Sequence, residues 1–128
     1  MIPRNRAWDK IRKTMYEDED IVYVDIEKQQ IHVKTNLFEQ INYYSIRDIE
    51  LMQSTGFTDK DGKCIFKEDI VMSRYGLFKG VVNLKQDLGA YVIKLIGYKD
   101  SVRLSVAANT TKIIGNIYEN PELLEVQK

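Results

Sequence analysis

The sequence predicts an all-β fold with one short helical turn near its end. Three observations carry this. Runs rich in β-branched and aromatic residues recur at 21–26, 70–72, 80–84, 90–95 and 112–118. Turn residues separate them at close spacing, among them Asp61-Gly62, Gly89 and the polar clusters at 10–13 and 27–29. Several runs alternate polar with apolar residues, which is the period of a half-buried strand.

Arg6-Ala7-Trp8-Asp9 and Thr14-Met15-Tyr16 flank a charged turn, which predicts a hairpin closed by Lys10 to Lys13. Residues 21–26 follow as a strand. Residues 30–34 alternate, placing Ile31 and Val33 inward and His32 on the solvated face, with a second hairpin turn at 27–29. Residues 36–45 read as a loop with one turn of helix. Leu37, Phe38, Ile41 and Tyr44 have helical spacing, yet Asn42, Tyr43 and Tyr44 are poor helix formers. Residues 46–53 return to strand, with Ile49 and Leu51 on one face and Met52 on the other.

Residues 54–71 form a pair of corners joining the two halves of the chain. Thr55-Gly56 ends the upstream half, and Asp59 and Asp61-Gly62 build a tight reversal in which Gly62 takes positive φ. A second bend at Lys67-Glu68-Asp69 starts the downstream sheet. There, 80–84 pairs with 90–95 across a loop ending in Gly89. Residues 101–106 alternate and predict a strand with Val102, Leu104 and Val106 facing a core. Residues 112–118 make the last strand, in which Gly115 marks a bulge or a close backbone approach. Asn120-Pro121 opens the helical turn, Asn120 as its cap and Pro121 at its first position. The count of short downstream strands predicts an SH3-like five-stranded barrel over 55–128, with an N-terminal β subdomain over 1–54 packed on it.

At 128 residues the chain needs no staple to bury a core, and its single cysteine, Cys64, suits a reducing compartment. No run reaches the roughly 18 apolar residues of a membrane span, and the N-terminus lacks a signal-peptide core. A cytoplasmic protein without membrane association is therefore expected. Its 19 basic and 19 acidic side chains balance, so no global field draws it to nucleic acid. Charge is uneven locally: Arg4, Arg6, Lys10, Arg12 and Lys13 precede the acidic run 17–20, which reads as a solvated loop offsetting its basic neighbour.

Three blocks resemble the motif blocks of the YopX family, small proteins encoded by bacteriophages and prophages. They are Arg6-Ala7-Trp8-Asp9-Lys10 with Met15-Tyr16, then Thr55-Gly56 through Val71, then residues 114–124, in the family's order. Trp8, Thr55, Gly56, Asp59, Gly62, Asp69, Gly115, Asn116, Tyr118, Asn120 and Pro121 are the motif positions, expected to act structurally. Glu68 departs from the pattern, which usually has glycine there. The resemblance implies a mainly β fold with an SH3-like barrel in the C-terminal half, and no activity.

Chemistry is sparse. Gly62 follows Asp59 by three positions where a calcium loop needs five, and Ile70 stands where the closing glutamate belongs. One Cys and one His cannot supply the usual zinc sets. No phosphate-cradling glycine motif or nucleophile elbow occurs. Cys64 adjoins Ile65-Phe66 and reads as half-buried packing. Asn116, Tyr118 and Asn120 share a face and either line a groove or satisfy backbone groups at the final corner. No catalytic, cofactor-binding or metal site is expected. Arg4 and Arg6 around Trp8, and Arg74 and Lys79 around Tyr75 and Phe78, are candidate nucleic-acid contacts. Residues 55–128 hold 11 basic against 9 acidic side chains, which is weak for phosphate-driven affinity. The expected function is a non-catalytic accessory module acting on host or phage proteins or by self-association. Nucleic-acid binding through the barrel is the alternative.

Overall fold

In a computed structural model of the chain, residues 4–34 and 40–125 are described, the Arg74 side chain excepted. The chain divides into two compact units, Met1–Gln53 and Ser54–Lys128.

In the first unit, β1 (Asn5–Asp9) and β2 (Thr14–Tyr16) form the expected hairpin, with Ala7 opposite Tyr16. Next come β3 (Ile21–Asp25), β4 (Gln30–Lys34) and β5 (Ile41–Ser45), a three-stranded antiparallel sheet in that order. Neither hairpin turn has a glycine, so Lys13 and Gln29 supply positive φ at 54° and 55°. Ile31 and Val33 face inward and pack with Ala7, Tyr16 and Ile49. Strand β5 corrects the loop-and-helix expectation: residues 41–45 pair with β4 along their whole length. Neighbouring tyrosines suit a pleated ladder better than a short helix. Leu37 and Phe38 lie outside the described residues.

Strand β6 (Ile49–Thr58) pairs with β1 through residues 49–53. Ile49 and Met52 are buried on opposite faces, and Leu51 is exposed. The strand does not stop at Thr55-Gly56. Gly56 sits inside it at φ 83°, and the register with β7 (Cys64–Phe66) slips between Ser54 and Thr58, so the expected corner is a bulge.

In the second unit the chain continues through β8 (Asp69–Met72), β9 (Lys79–Lys85), β10 (Ala90–Leu95), β11 (Ser101–Arg103), the one-turn helix α1 (Leu104–Ala107) and β12 (Lys112–Asn116). The strands form an antiparallel sheet in the order β11-β10-β9-β8-β12. Its outer strands β11 and β12 do not pair with each other among the described residues, so the sheet is open where the sequence predicts a barrel. Ile65, Val71, Val82, Ile93, Leu104, Ala107 and Ala108 make its core.

The expected strand over 101–106 ends at Arg103. Leu104, Ala107 and Ala108 reach the core at helical spacing, and Val106 is 76% exposed instead of buried. At the end of β12 the register shifts between Ile113 and Gly115, the predicted bulge. A Cβ at Gly115 would collide with the Asn120 side chain. Pro121–Leu124 is a single 3-10 turn. Asn120 caps it through its carbonyl, which accepts from Leu123 N at 3.1 Å, and not through its side chain as expected.

Candidate functional site

The candidate polar residues sit at turns, and their side chains are engaged with the backbone. Asp59 starts the β6–β7 reversal and is 4% exposed. Its Oδ1 accepts from Asp61 N and Lys63 N, both at 2.9 Å, and its Oδ2 accepts from Ile113 N at 3.1 Å. Lys60 N donates to Thr111 O beside it. One carboxylate thus closes a turn and ties it to the outer edge of β12. Burial opposes ionisation of Asp59, but the three amides outweigh it and hold the pKa below the ordinary carboxylate value.

Asp69 repeats the device. Its Oδ2 accepts from Phe66 N at 2.8 Å across the bend at Lys67-Glu68. Glu68 takes φ 72°, so the left-handed conformation that suits the family's glycine is kept by a residue with a Cβ. At the last corner Asn116 Oδ1 accepts from Tyr118 N and Glu119 N, its Nδ2 donates to Glu119, and Asn120 Oδ1 accepts from Asn116 N. Asn116 and Asn120 therefore satisfy backbone at the corner. Thr55 Oγ1 bridges Ile65 O and Phe57 N.

Sequence reasoning passed over a fourth centre, in the first unit. Asp9 is fully buried and accepts from Ile11 N, Arg12 N, the Arg12 guanidinium and the Tyr16 hydroxyl at 2.8–3.0 Å. Burial opposes its charge, yet these donors keep its pKa low. Burial, then the hydrogen bond to Asp9, pushes the Tyr16 hydroxyl well above the usual phenol value. The Arg12 guanidinium lies 3.7 Å over the Tyr44 ring, which stacks on Tyr16. The signal was available: an Asp just before a polar turn accepts amides two and three residues on.

His32 is not solvated as its strand parity predicts. It is 9% exposed, sandwiched between the cross-strand neighbours Tyr23 and Tyr43 at ring distances of 4.1 and 4.5 Å. Its Nε2 is buried without a hydrogen-bond partner. Cys64 is half-buried, its Sγ 3.0 Å from Ser54 Oγ.

The N-terminal cluster of candidate nucleic-acid contacts is dispersed. Trp8 and Arg6 are buried, Arg6 Nε donates to Met52 Sδ, and Lys10 pairs with Glu50 at 3.4 Å. Arg4 is exposed, and so is Lys10. In the second unit, Arg74 and Tyr75 form a 3-10 turn next to Phe78 and Lys79, and Tyr75 is exposed. A groove of about 560 Å³ opens there, lined by Met72, Leu77, Phe78, Lys79, Tyr98, Glu125 and their neighbours. A second, about 480 Å³, includes Lys85, Lys94, Lys99, Asp87 and Asp100. Among the described residues, no cluster of three His, Cys, Asp or Glu is placed to hold a metal, and no helix is long and apolar enough to cross a membrane.

Two solved structures share this architecture. Protein EF1440 from Enterococcus faecalis is 25% identical with a TM-score of 0.64, covering 98% of this chain and 99% of its own. Protein yopX from Bacillus subtilis is 23% identical with a TM-score of 0.62, covering 95% and 98%. The latter likeness speaks to the fold alone. Among curated proteins there is no match. The family model described as YopX protein matches residues 4–125, which takes in all three motif blocks and each of the turns built on Asp9, Asp59, Asp69 and Asn116. The chain belongs to the YopX family.

Proposed function

We propose that this protein is a non-catalytic accessory module that works through protein–protein contacts, self-association among them. The observation that carries this reading is where the polar and apolar groups are spent. The buried carboxylates Asp9 and Asp59 bind the chain's own amides, which leaves them no role toward a substrate. Meanwhile large apolar side chains face solvent, and two of them, Leu77 and Tyr98, line one groove. Soluble monomers keep contiguous apolar patches small, so such exposure favours a partner. In this reading the protein is a phage or prophage product acting in the cytoplasm of the bacterial host, where an unpaired Cys64 stays reduced. Light scattering across a concentration series tests the self-association: a mass rising above 15.0 kDa supports it, and a strict monomer removes it.

A second reading treats the open sheet as an SH3-like barrel that binds nucleic acid. It is favoured by the groove holding Lys85, Lys94 and Lys99, with Tyr98 exposed beside them for stacking. Asp87 and Asp100 in the same groove weaken it. Gel shifts with single- and double-stranded probes at low salt decide the matter, since real binding would fall steeply as salt rises.

A further inference from the structure

The corner between β8 and β9 is built to project apolar side chains. Ser73 ties it together: its N donates to Phe78 O, its Oγ accepts from Phe78 N, and its O accepts from Gly76 N, all at 2.9 Å. Tyr75 and Gly76 inside it hold positive φ of 69° and 67°. A non-glycine residue in that region costs on the order of 1 kcal/mol and persists only where its surroundings impose it. The reward visible in the structure is exposure: Tyr75 is 81% and Leu77 78% exposed. Leu77 lines the groove of about 560 Å³ together with Tyr98, which is 67% exposed.

Projection and groove lie on one face of one unit. We propose that this face is an isologous dimer contact, in which the Leu77 corner of each copy enters the groove of the other; this rests on the self-association reading above. Charge selects a second copy as the occupant. Lys79 and Glu125 both line the groove, and neither is in an ion pair among the described residues. In the proposed contact the two-fold axis passes through the groove so that Lys79 faces the other copy's Glu125, and the reverse, and both charges are met in each copy. A polyanion or an acidic peptide would instead meet Glu125 as a like charge. The chain's zero net charge imposes no long-range repulsion between copies. The three exposed side chains present apolar surface on the order of 400 Å² per copy. Two faces then bury about 800–1,200 Å² with their rims, the size of a weak, reversible dimer. The hydrogen-bonded corner is already ordered, which lowers the cost of association.

Sedimentation equilibrium on the full chain, up to millimolar concentration, tests this with Leu77→Asp, Lys79→Glu, Glu125→Lys and the double reversal. Far-UV circular dichroism and thermal melts verify that each variant folds. The wild type is expected to dimerise, Leu77→Asp to stay monomeric, and each single reversal to weaken the dimer by about tenfold. The double reversal should return to within about threefold of wild type, because the pairing is restored with its signs exchanged. A wild type that is monomeric throughout overturns both this contact and the self-association reading. A wild-type dimer indifferent to all four variants overturns the contact alone, and so does a double reversal weaker than either single one.

Discussion

Asp59 and Ile113 are 54 residues apart in sequence, and the carboxylate of the first accepts the amide hydrogen of the second at 3.1 Å. The same side chain accepts from Asp61 N and Lys63 N, so one residue fixes a local turn and a long-range edge together. Ile113 N is thereby unavailable to a neighbouring chain, which blunts the outer edge of β12 against stray strand pairing.

Asp59→Ala leaves three amides without their acceptor in a nearly closed site. The expected loss of stability is about 2–4 kcal/mol, the range for deleting a buried charged acceptor. Asp59→Asn should lose about half as much, because an amide oxygen can still serve the turn while its NH₂ meets Ile113 N. Urea denaturation measures both, and equal losses for the two variants would show that the tie to Ile113 and the charge carry the whole effect, since the acceptor for the turn survives in Asn.

Acid should unfold the protein through these same carboxylates. Asp9 and Asp59 both have folded-state pKa values below ordinary, so the folded protein binds fewer protons than the unfolded chain. Their contribution is complete above the unfolded value of about 4 and is lost as pH falls through the folded values. Tyr16 has the opposite sign: its raised pKa stabilises below about pH 10, and that contribution disappears as pH climbs further. Melting temperature against pH should therefore fall at both ends. The acid slope should flatten in Asp9→Asn/Asp59→Asn, and an unchanged slope would assign acid sensitivity to other groups.

How much of this was legible depended on whether local pattern and tertiary packing agreed. Ile31 and Val33 faced inward as alternation requires, and Gly115 marked the bulge because nothing larger fits beside Asn120. The run 101–106 misled because a period of two and a period of 3.6 both bury Leu104. What separated them was Ala107-Ala108, which extend the helical face. Ile41 and Tyr44 were read on helical spacing, although a tyrosine such as Tyr43 gains more from cross-strand rings. His32 escaped because strand parity gives the face a side chain points to and not what its neighbours cover. The turn carboxylates were legible in role at Asp59 and Asp69; Asp9 went unnoticed because its hairpin has no glycine to announce it.

Gly115 and Asn120 should behave as a coupled pair. Gly115→Ala forces the Asn120 side chain aside and breaks its bond to Asn116 N, at a cost of about 1–3 kcal/mol. Asn120→Ala removes the bond but also clears the space. The double variant should then cost less than the two singles combined, by about 1 kcal/mol. Strict additivity in a double-mutant cycle would mean that the close approach is not what requires glycine.

Glu68 tests the family's glycine preference directly. At φ 72° a side chain is strained, and its backbone N–H and C=O are fixed by Val82 O and Ile117 N. Glu68→Gly relieves the strain at some gain in unfolded-chain entropy, and a net stabilisation of about 0.5–1 kcal/mol is expected. A lower melting temperature would show that the Glu68 side chain's own contacts outweigh the backbone conformation.

His32 offers the sharpest test of packing against polarity. Its Nε2 is buried with no partner, while both ring faces are held by Tyr23 and Tyr43. A buried polar atom without a hydrogen bond costs about 1–3 kcal/mol, and an aromatic stack contributes about 0.5–1.5 kcal/mol. His32→Phe removes the unsatisfied atom and keeps a ring in the sandwich, so stability should rise by about 1 kcal/mol. His32→Ala removes the atom and the ring together and should lie about 1–2 kcal/mol below His32→Phe, as Tyr23 and Tyr43 lose the ring between them. If His32→Phe is instead destabilising, the imidazole nitrogen is satisfied in solution, by water or by a bound partner, and the three rings form a polar recognition row in place of a sealed stack.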